Sequence, residues 1–494
     1  MSESLNTNQK PLYLQLSETL SAAIKKGSFC SGSRFPSVRR TAKTYELSIN
    51  TVIATYRHLE DQGLLEARPK SGFYIRNQLP KLQHTLDTSS VHAQPSADLL
   101  KLIETTFAAQ QNPEYVNISL ACPTDSDFYP RERLGKILSH IIRHEPQLIG
   151  NYALPPGSLN LRQQIARRML DLGIVSDPAD ITITHGCVEA LQLALRAVTQ
   201  PGDTVGLESP TYFYLIPILS SLNLKIIEIP THSETGLSIE ALEMLLEQKQ
   251  LNAIICMPNL HNPLGCSMPL AAKKRLAQLV NHYQVPLIED GLYNELQFSK
   301  ILPAVKSFDK GGWVMFCSSF TKTLAPDFRI GWIQAGQFAQ SVQQLKSMLS
   351  VTESQLLCET IAAFLKTGGY DHHLRKLRKR YAANMNQAQA LIAEHFPQGT
   401  RATKPAGGFV FWVELPGKID TVLLHHLMLE EKICLTPGSL YSPSGRFSNA
   451  LRISCCYPFN EQYRYALARV GAKVCEVTGI PAGLSNDSTC TAYK

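Results

Sequence analysis

From Pro11 the apolar positions fall at Leu12, Leu16, Leu20 and Ile24, one every fourth residue, and Gly27 closes the run. That period, with proline at the entrance and glycine at the exit, predicts an amphipathic helix. The next segment, "RFPSVRRTAKTYELSINTVIATYRHLEDQG", predicts two more. Ser37, after Pro36, and Ser48 each precede a short helical run, where a hydroxyl oxygen can accept from an N–H of the first turn. Leu47 and Val52 stand where an apolar staple pins the entry of the second of these helices, and Gly63 stands past its end. In "LLEARPKSGFYIR" the pattern changes to two strands around the turn "PKSG", a wing carrying Arg68 and Lys70 toward its tip. Two helices joined by a tight turn make a helix-turn-helix.

After Arg76 the pattern dissolves. Residues 77–97, "NQLPKLQHTLDTSSVHAQPSA", are polar, without apolar periodicity, and read as a linker. From Asp98 the short apolar runs "ITIT", "TVGLE", "KIIEI", "AIICM", "PLIED", "WVMFC" and "RIGWI" alternate with helical patterns such as "VEALQLALRAV" and "LAAKKRLAQLVNHY". This alternation predicts an α/β domain, a mostly parallel sheet covered on both faces, with its active groups at the carboxyl ends of the strands. The domain is expected to run over 98–480, ahead of a disordered tail at 481–494.

At 494 residues the chain is long enough for at least two cores. Its 44% apolar and 18% charged content is that of a soluble globular protein, with no run long enough to cross a bilayer and no secretory pattern at the start. A cytoplasmic protein is expected. The 12 cysteines are scattered, with no CxxC pair, and several fall inside strand-like runs, as expected of reduced and mostly buried thiols. Charge is uneven: residues 1–80 hold 11 Lys+Arg against 6 Asp+Glu, a balance of 11 − 6 = +5 out of +7 for the whole chain. A modest excess of this kind is often just a solvated surface. On a helix-turn-helix it points to nucleic acid.

Residues 10–76 resemble the GntR-type winged helix-turn-helix, through "PLYLQLSETL", "FPSVRRTA", "LSINTVIATYRHLEDQGLL" and "KSGFYI" in order. The resemblance implies an N-terminal DNA-binding domain, 1–76, in which Arg39, Ser48 and Thr51 meet the DNA and the wing near Gly72 approaches the minor groove. Arginine forks and hydroxyls at helix starts suit phosphate oxygens and base edges. Asn50 stands where many relatives carry arginine. An asparagine can pair with adenine through two hydrogen bonds, so the target sequence is expected to differ from theirs.

The strand ends carry the second set of candidates. Gly186 and Cys187 follow "ITITH" at a strand-to-helix turn, where free N–H groups and the helix dipole favour an anion. Asp290 ends "PLIED" with Tyr293 three residues on, Asn262 sits in "PNLHNPLG", Tyr212 in "ESPTYFY", and Lys322 in "WVMFCSSFTKTLAPDFRIGW" precedes Arg329 by seven residues. Singly, each has a plain structural use as a cap, a packed ring or a solvated charge. In this order they resemble the fold-type I pyridoxal-phosphate enzymes, the aspartate aminotransferase superfamily, across roughly residues 115–475. The resemblance implies that Lys322 bonds pyridoxal 5′-phosphate as an internal aldimine and that Asp290 keeps the pyridine nitrogen protonated. It implies that Tyr293 and Asn262 bond the ring oxygen and that Tyr212 stacks on the ring. The phosphate falls to the backbone at Gly186 and Cys187, the hydroxyls of Ser319 and Thr321, and Arg329. Tyr152 would reach the phosphate of a neighbouring subunit, implying a homodimer, and Arg452 in "LRISCC" would grip a substrate carboxylate. "SLACPTD" lacks a glycine common near the substrate, and Gly291 follows Asp290 where an acidic residue is common.

A GntR-type head on an aminotransferase-like body of about seven strands with a smaller α+β subdomain resembles the MocR family of transcriptional regulators. That resemblance implies a dimer that binds operator DNA, at the nucleoid when so bound, and senses an amino compound, an amino acid or pyridoxal phosphate itself. Residual transaminase activity is compatible with it. Two other readings compete. One is a metabolic aminotransferase with an appended DNA-binding domain. The other, a cofactor-free scaffold, fits badly with the intact Lys322, Asp290, Arg329 and Arg452.

Overall fold

The structure, a computed structural model, describes residues 10–26, 28–29, 32–68, 71–76, 79–82, 91–123 and 128–483. Gly27, Lys70 and the tail beyond 483 lie outside them, as do Thr124 and Asp125 of "SLACPTD". The chain divides into two compact units, Met1–Pro80 with Ala383–Arg401 and Arg464–Lys494, and Lys81–Ala382 with Ala402–Tyr463.

In the first unit α1 (Leu12–Lys25), α2 (Val38–Thr44) and α3 (Ile49–Asp61) precede a hairpin of β1 (Leu65–Arg68) and β2 (Gly72–Ile75). The period-four stripe predicted for α1 is the face it buries: Leu16, Leu20 and Ile24 pack with Phe35, Val52, Tyr56, Leu59, Leu65 and Ile75. Burying each side chain of this size contributes about 1.5–3 kcal/mol against the ordering entropy. Tyr56, fully buried, settles its hydroxyl by donating to Pro36 O at 2.8 Å, with Thr41 Oγ1 at 2.6 Å. Both predicted caps form. Ser37 Oγ accepts from Arg40 N and Ser48 Oγ from Thr51 N, at 3.3 and 3.1 Å. Gly63 ends α3 at φ +71, where a side chain would be strained and its Cβ would overlap Asn386, whose amide donates to Asp61 O.

The second unit holds β3 (Val91–Ala93), β4 (Val116–Asn117), β5 (Ile181–Thr184), β6 (Thr204–Ser209), β7 (Lys225–His232), β8 (Gly236–Leu237) and β9 (Ala253–Cys256). It continues with β10 (Leu287–Asp290), β11 (Val314–Ser319), β12 (Gly331–Gln334), β13 (Arg401–Ala402, whose first residue is the last of the first unit's middle segment), β14 (Val410–Glu414), β15 (Ile433–Cys434), β16 (Thr436–Pro437) and β17 (Ala450–Ser454). The main sheet runs β3-β7-β6-β9-β10-β11-β12-β5, with β8 paired to β7. Strands β7, β6, β9, β10 and β11 are parallel, and β12 lies antiparallel between β11 and β5. These are the seven runs expected from the sequence. They are buried along nearly their whole length because helices cover both faces, one core including Leu207, Ile255, Ile288 and Met315 and the other Ile229, Ile254, Leu287 and Val314. A smaller sheet, β13-β14-β17-β16, and the pair β15-β4 form the predicted α+β part.

The segment 77–97 is not a linker throughout: Leu82 is buried, with its N–H donating to Ala402 O at 3.1 Å. Val91–Ala93 joins the main sheet as an antiparallel edge strand on β7. Three residues are too few for a period-two signal to show. Among the described residues the cysteines form no disulfide, all but Cys122 and Cys475 are buried, and no helix is long and apolar enough to cross a membrane.

Candidate functional site

Three strand ends meet at the start of the helix Cys187–Val198. The sheet register sets Ser319 of β11 opposite Gly331 of β12, and Gly331 opposite Thr184 of β5. Gly186, at φ +79, then turns the chain into the helix, and its N–H donates to Thr184 O at 2.9 Å. The free donors of this helix start therefore begin at Cys187. The Arg329 guanidinium lies across the turn, so near that a Cβ on Gly186 would stand 2.8 Å from one of its nitrogens. Ser319 Oγ donates to Thr321 Oγ1 at 2.7 Å and accepts from Thr321 N at 2.9 Å. A guanidinium, two hydroxyls and a helix N-terminus thus make a cradle of positive potential.

Beside it Asp290 ends β10, 3% exposed, accepting from Leu292 N at 3.0 Å and from Cys187 Sγ at 3.6 Å. Burial pushes its carboxyl up to about 6, with the Glu208 charge adding and the bonds from Leu292 and Cys187 opposing. Tyr212 and Tyr293 both feel the Asp290 and Arg452 charges, and burial raises both phenols. Arg452 on β17 is 2% exposed. It donates to Asn262 Oδ1 at 3.0 Å and to Ser119 O at 2.5 Å, lies over the Tyr441 ring, and leaves its Nε without a partner. Lys322, in the turn after β11, is half-buried. Burial raises the Cys456 thiol to about 12 against the pull of the Lys322 and Arg452 charges.

The structure therefore brings Gly186, Cys187, Ser319, Thr321 and Arg329 to one turn, and sets Asp290, Tyr212, Tyr293, Asn262 and Arg452 within one field of charge. Tyr152 stands apart, 80% exposed, in a loop fixed by Thr352 Oγ1 donating to Ala153 O at 2.6 Å. In the smaller unit Arg39, Ser48 and Asn50 are exposed and Thr51 is half-buried. Gly72 opens β2 at φ +104, and Arg68 does not reach out freely: its guanidinium lies 4.3 Å over Tyr74 and pairs with Glu66.

Residues 126–470 match the model of aminotransferases of class I and II, and residues 12–75 match the bacterial regulatory proteins of the gntR family. The chain is 36% identical over 465 residues to the uncharacterised HTH-type transcriptional regulator YjiR of Escherichia coli, covering 94% of this chain and 98% of that one. It is 34% identical to the uncharacterised HTH-type regulator YdcR of the same organism, over 94% and 99% of the two chains. The chain belongs to the MocR-type regulators. Among solved structures it resembles the kynurenine aminotransferase of Pyrococcus horikoshii, crystallised with PMP, at a TM-score of 0.71 and 25% identity over 77% of this chain and 97% of that one. The multiple substrate aminotransferase of Thermococcus profundus gives 0.69 and 26%, over 77% and 95%.

The cofactor of this MocR-type regulator is pyridoxal 5′-phosphate, and three observations agree with it. The Gly186–Arg329 turn is a cradle that a single Cβ would fill. Burial raises the Asp290 carboxyl, so a cation such as a pyridinium beside it would hold it charged. Arg452 keeps an unpartnered buried donor. Sequence reasoning missed the wall facing this group. Cys456 Sγ and the Tyr457 hydroxyl both donate to Leu120 O, at 3.4 and 2.6 Å, beside the Arg452 bond to Ser119 O. Backbone acceptors leave no mark in residue types, and only the doublet Cys455-Cys456 could have drawn notice.

Proposed function

We propose that this protein regulates transcription as a homodimer, binding operator DNA through its winged helix-turn-helix and reading an amino compound through the pyridoxal-phosphate site. The observation that carries the reading is Arg452. A buried guanidinium fixed by Asn262 and Ser119, with its Nε unpartnered, suits a ligand carboxylate. In this reading Lys322 holds the cofactor through its amine, and Asp290 accepts from the pyridine N–H, staying charged beside it. Tyr293 and Asn262 donate to the ring oxygen and Tyr212 covers the ring face. The N–H of Cys187, the hydroxyls of Ser319 and Thr321, and Arg329 bind the phosphate. When bound, the cofactor supplies a carbon that reacts with amines and a ring that withdraws electrons from them. Lys322 Nζ, when not engaged with it, can hold or take a proton at the α-carbon of a ligand. Tyr152 completes the cradle of a second subunit.

Arg39, Ser48, Asn50 and Thr51 meet the DNA, with Gly72 letting the wing backbone approach the groove. Regulation then requires only that the ligand bind one arrangement of the molecule better than another. A metabolic aminotransferase with an appended DNA-binding domain is disfavoured, because the regulators YjiR and YdcR match along the whole architecture. The test is to map the protein's sites on the genome and measure operator affinity with and without the amino compounds made or consumed by the adjacent genes. A shift with one of them supports the reading. No uptake of pyridoxal phosphate, or fast steady-state transamination with unaltered DNA binding, overturns it.

A further inference from the structure

A second cavity, of about 200 Å³, opens in the larger unit between the end of the helix Leu159–Met169, the turn Asn294–Leu296 and the first half of the helix Gly369–His395. None of the cradle residues lines it. Its charges are unevenly spent. Arg168 is fully engaged, pairing with Glu295 at 2.5 Å and Asp371 at 2.9 Å and stacking 4.4 Å over the Tyr370 ring. One guanidinium thus serves two carboxylates, both of which also act on Arg378. Arg378 gives only its Nε, to Glu295 O at 2.8 Å. Its terminal nitrogens, and the whole of Arg375, have no hydrogen-bond or ion-pair partner among the described residues. Burial lowers the pKa of Arg378, as for a cation short of solvation. Among the described residues Asp171 has no ion-pair partner, and the three lining arginines, Arg168, Arg375 and Arg378, are matched in charge by the three carboxylates Asp171, Glu295 and Asp371.

The second observation is Asn294. It lines the cavity at 1% exposure with both amide atoms, Nδ2 and Oδ1, unpartnered. Buried amides are almost always hydrogen-bonded, and one that is not marks a place where a ligand atom or water belongs. We infer that this cavity is a binding site for a small oxyanion, a carboxylate or a phosphate, gripped by the Arg375 and Arg378 guanidinium groups and met by the Asn294 amide. Planar forks suit either oxyanion, and the free N–H groups of two of them, rather than a net charge, are what would grip it. The site has a route to the cofactor. Glu295 Oε2 accepts from the Tyr370 hydroxyl at 2.6 Å, and that hydroxyl lies 2.7 Å from Thr323 Oγ1, next to Lys322.

The experiment is calorimetric titration of the full chain, saturated with pyridoxal phosphate so that the cradle is closed to competitors, with inorganic phosphate and separately with succinate at constant ionic strength. Saturable binding of at least one is expected, the tighter naming the oxyanion class. Replacing both arginines, Arg375→Gln with Arg378→Gln, is expected to weaken it by about tenfold or more while the cofactor's visible absorption stays the same. Arg375→Gln alone, at an exposed position that leaves folding intact, should give a smaller loss in the same direction. No saturable binding up to about 100 mM, where any specific affinity would register, overturns the inference. So does unchanged affinity in the variants. Neither result would bear on the pyridoxal-phosphate site.

Discussion

Asp290 is a carboxyl held ready for a cation. Burial lifts its pKa from 3.8 to about 6, so without a positive partner the folded protein binds that proton more tightly than the unfolded chain does. Its cost to stability is absent below about pH 4, grows as pH rises from about 4 to 6, and is constant above; a shift of about two units is worth about 3 kcal/mol. In cofactor-free protein, Asp290→Asn is therefore expected to be more stable than the parent by about 2–3 kcal/mol at pH 8 and by less at pH 5, in denaturant titrations. Loading pyridoxal phosphate should reverse the order, since only the carboxylate can answer a pyridinium. Equal stability of the two cofactor-free proteins at pH 8 would show that the carboxyl is not strained. Lys322 gives a simpler case. Lys322→Ala should abolish the visible absorption of the lysine-linked cofactor while the far-ultraviolet circular dichroism stays unchanged, because the half-buried side chain carries none of the core. An unaltered visible spectrum would mean that another amine holds the cofactor. Both residues were candidates from the sequence, Asp290 because it ends a recognisable strand and Lys322 because it follows one. The Ser119 and Leu120 carbonyls that fix Arg452, Cys456 and Tyr457 were not.

Elements declared themselves in proportion to how much they bury. The seven central strands are mostly buried because helices cover both faces, so short, largely apolar runs between turns were enough to find them. Strands such as β8, β13 and β16, two residues each, exist only through pairing with longer neighbours and carry no periodicity of their own. Helices α2 and α3 were legible from their caps, and the cap of α3 can be tested. Ser48 Oγ accepts from Thr51 N and lies 2.8 Å from Thr51 Oγ1, so one hydroxyl both caps the start of the helix and orients a residue proposed to meet DNA. Ser48→Ala should cost about 1 kcal/mol of stability, seen as a small fall in Tm, and should weaken operator binding by more than that loss of fold explains. Ser48→Asp, which keeps a capping oxygen but adds a negative charge toward phosphate, should restore the Tm and weaken DNA binding further. If Ser48→Asp binds DNA as the parent does, α3 does not present its N-terminus to the backbone.

For the molecule as a whole the question is whether the ligand site and the DNA site share one equilibrium, and Arg452 separates the possibilities. It lies on β17 in the interior of the larger unit, so its removal leaves every residue proposed to meet DNA in place. If the effector is an α-amino acid, its carboxylate takes up the spare donor of Arg452 through charge-assisted hydrogen bonds typically worth about 1.5–3 kcal/mol. A ligand shifts an equilibrium only by its differential affinity for the two states, so loss of that contact removes most of the shift while the resting operator affinity stays the same. Arg452→Lys is the informative variant, since an ammonium keeps the buried charge opposite Asn262 Oδ1 but cannot present a fork. The expected outcome is unchanged cofactor absorption and unchanged operator affinity without ligand. At ligand concentrations that saturate the parent, the amino acid's effect on both should be absent or need about tenfold more ligand. Should the variant respond as the parent does, the effector carries no carboxylate at that position. A simple amine, or pyridoxal phosphate itself, would then be the molecule sensed, and the change in operator affinity should follow cofactor loading alone.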